Sequence, residues 1–216
     1  MLVKDYMTKH PPMGEPGMSI VEARRYMAEH HIRHLPIVGD GKRLVGLLTP
    51  QGLMIDLTRL GSLDMWEIGS YLARLRVEEV MIKARDVVTI SPDTPIEQAA
   101  RVMVEHQIGS LPVIEDGVVV GMITDSDLLR QLMELMSTEV PAVRVTVRMP
   151  MRTGELAKLV AAIAARGWGI EALGGVVMPK DPNRWEAVIK IQAPRDEVVA
   201  AIRSVESQEI VDVREA

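Results

Sequence analysis

The chain has 216 residues, 47% of them apolar and 25% charged, with a net charge of −5; this is enough for a hydrophobic core and for two to three small domains. The absence of Cys excludes disulfide frameworks, thiolate metal sites and cysteine nucleophiles. Three Trp, three Tyr and no Phe leave few platforms for stacking bases, and the negative charge gives no general pull on phosphate backbones, so nucleic acid is not an expected partner.

The opening residues, Met1-Leu2-Val3-Lys4-Asp5-Tyr6, carry an acid and no long apolar run, unlike a signal peptide, and no stretch is apolar for long enough to cross a membrane. The expectation is a cytoplasmic protein with no membrane partner. A short segment, Val3 to Met7, leads into a turn-rich stretch. Ser19-Ile20-Val21-Glu22 has capping-box spacing, and Ile20, Ala23 and Met27 recur at helical spacing, which predicts a helix. Leu35-Pro36-Ile37-Val38 and Leu44-Val45-Gly46-Leu47-Leu48 read as strands about the turn signal Asp40-Gly41, with a further helix from Pro50. Met65, Ile68 and Leu72 keep helical spacing in an insertion, roughly Gly61 to Arg76, which reads as a packed helix.

From Val77 the same pattern returns. Val77 to Met81 matches the opening segment. Thr94-Pro95-Ile96-Glu97 has capping-box spacing with Pro at the first helical position, and Ile96, Ala99 and Met103 follow at helical spacing. Leu111-Pro112-Val113-Ile114, the turn Asp116-Gly117, Val119 to Thr124 and a helix from Asp125 complete the second copy. The repetition predicts two strand–helix–strand–strand–helix copies packed face to face, with a cleft between them. After Pro141 the repeat is gone. Val143, Val145 and Val147 alternate with polar residues as in a half-buried strand. Thr153 is placed to cap a helix carrying Leu156, Leu159, Val160 and Ile163, ended near Gly167. Ile170 to Met178 reads as a strand, Pro179 to Asn183 as a loop, Trp185 to Ile191 as a strand. A helix from Pro194 with Val198, Ile202 and Val205 follows, then a strand from Glu209 to Arg214. The order is the ferredoxin-like βαββαβ plan.

Gly121-Met122-Ile123-Thr124-Asp125-Ser126-Asp127 resembles the nucleotide-binding signature of CBS domains, and Gly109-Ser110-Leu111-Pro112-Val113 their central strand; residues 3–57 match the same pattern. The tail resembles an ACT domain through Met149-Pro150-Met151-Arg152-Thr153-Gly154-Glu155-Leu156. Two CBS units with an ACT unit is the arrangement of acetoin-utilisation B-type proteins, to which Leu63-Asp64-Met65-Trp66-Glu67-Ile68 with Tyr71-Leu72 is also similar. The resemblance implies an α/β (α+β) chain with a pseudo-twofold CBS pair, residues 1–76 and 77–140, and an ACT-like domain, residues 141–216. It further implies an adenine nucleotide (AMP, ADP or ATP) as regulatory ligand, a homodimer or higher oligomer, and a role in acetoin or acetate metabolism.

Thr124 ends a strand before a helix, so its hydroxyl and nearby N–H groups are placed for phosphate oxygens. Asp127, in the first helical turn, is placed to accept from a ribose diol, or simply to favour the helix N-terminus. In the first copy Thr49-Pro50-Gln51-Gly52 puts Gly52 at that position, and Pro11-Pro12 with Gly14 replaces Val87-Val88-Thr89-Ile90; one competent and one altered site are expected. The resemblance implies that Arg33 and His34 reach phosphates across the pseudo-twofold and that Ser110 and Pro112 belong to the nucleotide site; Val87 and Val88 would sandwich or edge-bond an adenine. Val87 and Val88 are equally good core. His30, His31 and His34 lack an accompanying carboxylate cluster, so no metal site is expected. In the ACT-like part Gly154, Glu155 and Leu156 would present backbone N–H groups to a small ligand. Gly167-Trp168-Gly169-Ile170 departs from the family, which often has Asn at the position of Gly169, and leaves dimerisation or packing as the other role. There is no G-x-S-x-G, H-E-x-x-H or P-loop, so no enzyme is expected. A ligand-independent assembly protein is the competing class.

Overall fold

The predicted capping box at Ser19 is present. Ser19 Oγ accepts from Glu22 N at 3.2 Å and the Glu22 carboxylate accepts from Ser19 N at 2.9 Å, starting helix α2, Ile20–Glu29. The computed structural model describes residues 1–54, 70, 71 and 73–215. The insertion positions Met65, Ile68 and Leu72, and the segment Leu63 to Ile68, lie outside the described residues. The chain divides into two compact units, Met1–Leu128 and Leu129–Ala216.

In the first unit, α1 (Val3–Tyr6) and β1 (Thr8–Lys9) precede α2, β2 (Leu35–Val38) and β3 (Leu44–Leu48). Then follow α3 (Val77–Val80), β4 (Ile82–Lys83), α4 (Ile96–His106), β5 (Ser110–Glu115), β6 (Val118–Thr124) and α5 (Asp125–Leu135), whose C-terminal part belongs to the second unit. Each turn signal is used. Asp116 and Gly117 both have positive φ, 50° and 80°, and close the two-residue β5–β6 hairpin, the geometry that matches strand twist. Asp40-Gly41-Lys42 makes the longer connection of the first copy, with a register shift at Ile37/Val38.

The strand pairing corrects the expected repeat unit. The two sheets are ordered β2-β3-β4 and β1-β6-β5, so the opening segment of each copy joins the sheet of the other. Val3 is fully buried with Ala99, Leu111, Val113 and Ile123 of the second copy, and Val77 with Ile20, Leu35, Ile37 and Leu48 of the first. The main-chain bonds agree: Val3 N donates to Thr94 O at 2.8 Å and Val77 N to Met18 O at 2.9 Å. This exchange uses the Thr94 carbonyl, and the predicted cap there is not formed. Pro95 is the N-cap, without a side-chain bond, and α4 starts at Ile96.

The early strands are also corrected. Val87-Val88-Thr89-Ile90 pairs only through an isolated parallel bridge, Ile90 to Val113, and Gly14 makes the equivalent bridge to Ile37. Pro11-Pro12 therefore leaves the first copy's pairing intact. Gly14 fits because a Cβ there would stand 2.9 Å from both Ile37 Cδ1 and Leu35 Cδ2.

Gly46 and Gly121, equivalent in the two copies, each receive a methionine sulfur from the exchanged segment, Met81 and Met7 respectively. A Cβ on Gly46 would also meet the Ile82 carbonyl oxygen at 2.6 Å, whereas at Gly121 the three nearest atoms all belong to the flexible Met7 side chain. Gly46→Ala is expected to lower unfolding stability by about 1–3 kcal/mol and Gly121→Ala by less, read from urea midpoints at unchanged slope.

In the second unit β7 (Val143–Pro150), α6 (Glu155–Ala164), β8 (Ile170–Met178), β9 (Asp181–Ile191), α7 (Arg195–Arg203) and β10 (Glu209–Glu215) form an antiparallel sheet ordered β10-β7-β9-β8. This is the βαββαβ connectivity expected. Its core is Val143, Val145, Val147 and Met149 with Leu159, Ile163, Ile189, Ile191, Val198 and Ile202. Two details differ. Gly154, at φ 89°, takes the N-cap expected of Thr153, and the loop after β8 shortens to a turn because Asp181 already pairs with Met178.

Candidate functional site

Within the first unit the chain encloses a cavity of about 550 Å³, within the range of small-molecule pockets. The first copy lines it with His34, Leu47, Thr49, Gln51 and Gly52, and the exchanged segment adds Val80 and Ile82. The second copy adds Asp86, Val87 and Val88, and Gln107 to Ser110. Val87 and Val88 reach the site because the chain runs unpaired between the turn at Ala84–Asp86 and the bridge at Ile90. Ser110 begins β5 and is buried. His34, just before β2, is half-buried; burial foremost, then the Arg33 charge, hold its imidazole below the usual range, against a smaller opposing pull from Asp125.

Of the candidates read from the sequence, His34, Val87, Val88 and Ser110 meet here, whereas Arg33, Pro112, Thr124 and Asp127 are not part of this lining. Pro112 is buried within β5 and its carbonyl accepts from Ile90 N at 3.1 Å. The cavity therefore belongs to the copy whose signature reads Thr49-Pro50-Gln51-Gly52. Gly52 is confined, because a Cβ would stand 2.8 Å from the Val80 carbonyl oxygen. A carboxylate at this position would need the exchanged segment to move. Asp86, Gln51 and Gln107 were not singled out from the sequence, and they gain meaning only once the two copies are paired.

Thr124 and Asp127 sit at the start of α5. Asp127 Oδ2 accepts from Thr124 N at 2.9 Å and from Thr124 Oγ1 at 2.7 Å, and Asp127 N donates to Thr124 Oγ1 at 3.4 Å. This repeats the Ser19–Glu22 box, so one carboxylate oxygen of Asp127 holds the helix entry. Arg33 of the first copy reaches the same helix end, with Nη2 3.5 Å from Asp125 Oδ1. Both partners are at least half exposed, and such a pair contributes about 0–1 kcal/mol. Its importance is positional, since it brings an arginine of one copy to the helix of the other that carries Asp127.

In the second unit Glu155 is buried at the start of α6. Its carboxylate takes Lys158 Nζ at 2.9 Å, and its carbonyl takes Gln208 Nε2 at 3.4 Å. Gly154 supplies the left-handed turn before it, and Leu156 is part-buried against the core. Among the described residues no group of three or more His, Asp and Glu is arranged to hold a metal, and no helix is long and apolar enough to cross a membrane.

Two copies exchanging their opening segments around a cavity of small-molecule size define a paired-repeat architecture. The chain belongs to the CBS domain family, whose sequence model matches residues 3–57 and 77–134, just over half of its length. It is similar to a protein assigned to acetoin utilization (AcuB) from Vibrio cholerae, with 33% identity and a TM-score of 0.53 over 65% of this chain and 97% of that one. It is also similar to CBSX2 crystallised with AMP, with 25% identity and a TM-score of 0.51 over 61% and 96%. The L-aspartate semialdehyde sulfurtransferase of Methanocaldococcus jannaschii is 34% identical over 132 residues, 60% of this chain but 23% of that enzyme. The chain thus spans less than a quarter of that relative.

Proposed function

We propose that this chain is a regulatory protein that binds an adenine nucleotide between its two CBS copies. The observation that carries the reading is Arg33 of one copy standing at the helix start that holds Thr124 and Asp127 of the other. In this reading Asp127 grips the ribose diol and Arg33 meets phosphate at one end of the pair, while His34, Val87, Val88 and Ser110 line the separate cavity at Gly52. The crystallisation of CBSX2 with AMP supports an adenosine-type ligand, and the likeness to the Vibrio protein supports a place in acetoin or acetate metabolism. The βαββαβ unit acts as an ACT-like domain for a small ligand at Gly154, Glu155 and Leu156 or for dimerisation. Leu173, Val176 and Val177, exposed on the edge strand β8, favour a homodimer. The protein works in the cytoplasm and acts on a target enzyme rather than on a substrate of its own.

Thermal unfolding with AMP, ADP and ATP tests this. A nucleotide at 100 times its Kd stabilises by about 2.7 kcal/mol, and Asp127→Ala is expected to abolish that increment. Loss of the cap lowers the unliganded melting point of the variant, so the readout is the ligand-induced difference. Equal increments in both proteins overturn the role of Asp127. No increment with any nucleotide leaves the assembly reading, which the Thr124–Asp127 box by itself also satisfies.

A further inference from the structure

The cavity built on Gly52 differs in charge from the Arg33 end of the pair. Among the described residues its lining holds no lysine and no arginine. Its one carboxylate is Asp86, paired with the outward-facing Arg85 at 3.4 Å, and its one imidazole, His34, is held toward the neutral form. Arg33, next in sequence to His34, is turned to Asp125. Leu47, Val80, Val87, Val88 and Ile108 make the wall largely apolar, while Thr49, Gln51 and Ser110 supply neutral hydrogen-bonding groups. A phosphate entering here would give up water, stand near Asp86 and meet no lysine or arginine among the described lining residues.

We propose that this cavity takes an adenosine derivative that carries no phosphate. Neutral hydroxyl and amide groups satisfy a ribose and an adenine edge without a charged partner, and the apolar wall covers the base. The confined Gly52 removes the carboxylate that the other copy offers, so the two halves of the pair differ in ligand chemistry, one suited to nucleotides and one to nucleosides. The inference rests on the reading that the CBS pair binds adenosine derivatives.

Calorimetric titration of the full chain with adenosine, 5′-methylthioadenosine and AMP tests it, in the wild type and in two variants. Val88→Trp fills the cavity; it is expected to abolish binding of adenosine and methylthioadenosine and to leave AMP unchanged. Asp86→Lys, at an exposed position, keeps the test open if the tryptophan variant fails to fold. It is expected to leave adenosine within about twofold and to let AMP displace adenosine from the cavity, since the carboxylate beside the entering phosphate becomes a cation. AMP binding that Val88→Trp abolishes, or AMP that displaces adenosine from the wild-type cavity, overturns the proposal while the nucleotide reading stands. Binding of neither adenosine nor AMP overturns both.

Discussion

Val3→Asp is expected to unfold the second CBS copy first, although Val3 belongs to the first. Val3 has no exposed surface and lies among Ala99, Met103, Leu111, Val113 and Ile123. An unpaired carboxylate there costs about 3 kcal/mol or more, a large part of a domain's stability. Hydrogen exchange gives the diagnostic result: protection should fall in β5 and β6 while β2 and β3 keep theirs. Val77→Asp should do the reverse, because Val77 is buried with Leu35, Ile37 and Leu48. If each substitution loosens its own copy instead, the exchange of opening segments is wrong.

The second large effect is expected at Lys190, in the middle of β9. It is 3% exposed, and its ammonium donates to the carbonyl oxygens of Ser137 at 2.7 Å and Val140 at 3.0 Å. Ser137, at φ 47°, also donates through its hydroxyl to the Glu171 carbonyl at 2.8 Å. The segment after α5 is therefore tied to the sheet of the second unit by one buried cation and one hydroxyl. Lys190→Met keeps the length of the side chain but leaves two carbonyls without their donor; the expected loss is about 2–4 kcal/mol. Arg25→Ala, which removes an exposed pair with Glu29 on α2, should change stability by about 0.5 kcal/mol or less. Equal effects of the two substitutions would show that the lysine contributes no more than a surface charge.

Local chemistry was legible in the sequence wherever the determinant is local. The capping box at Ser19, the positive-φ turn at Asp116-Gly117, the apolar face of α6 and the order of elements in the second unit all follow from spacing and turn residues. What was illegible depends on which copy a segment meets. Val3-Met7 and Val77-Met81 carry the same pattern, and nothing in a two-residue strand states whether it joins its own sheet or the other. The failed cap at Thr94 lies where the exchanged segment docks, with Val3 N bonded to the Thr94 carbonyl. The site suffered likewise. One signature groups these residues in the sequence, but pairing the copies sorts them to different ends: His34, Val87, Val88 and Ser110 to the Gly52 cavity, Arg33 to the helix of Thr124 and Asp127.

The exchange also bears on inheritance. Each half lacks a strand and a core valine that only its twin carries, so a lone half transplanted into another protein would arrive with an open sheet edge and a hole. Recombination that cuts between the twins is penalised, and recombination that moves both together is not. The heritable module is the couple.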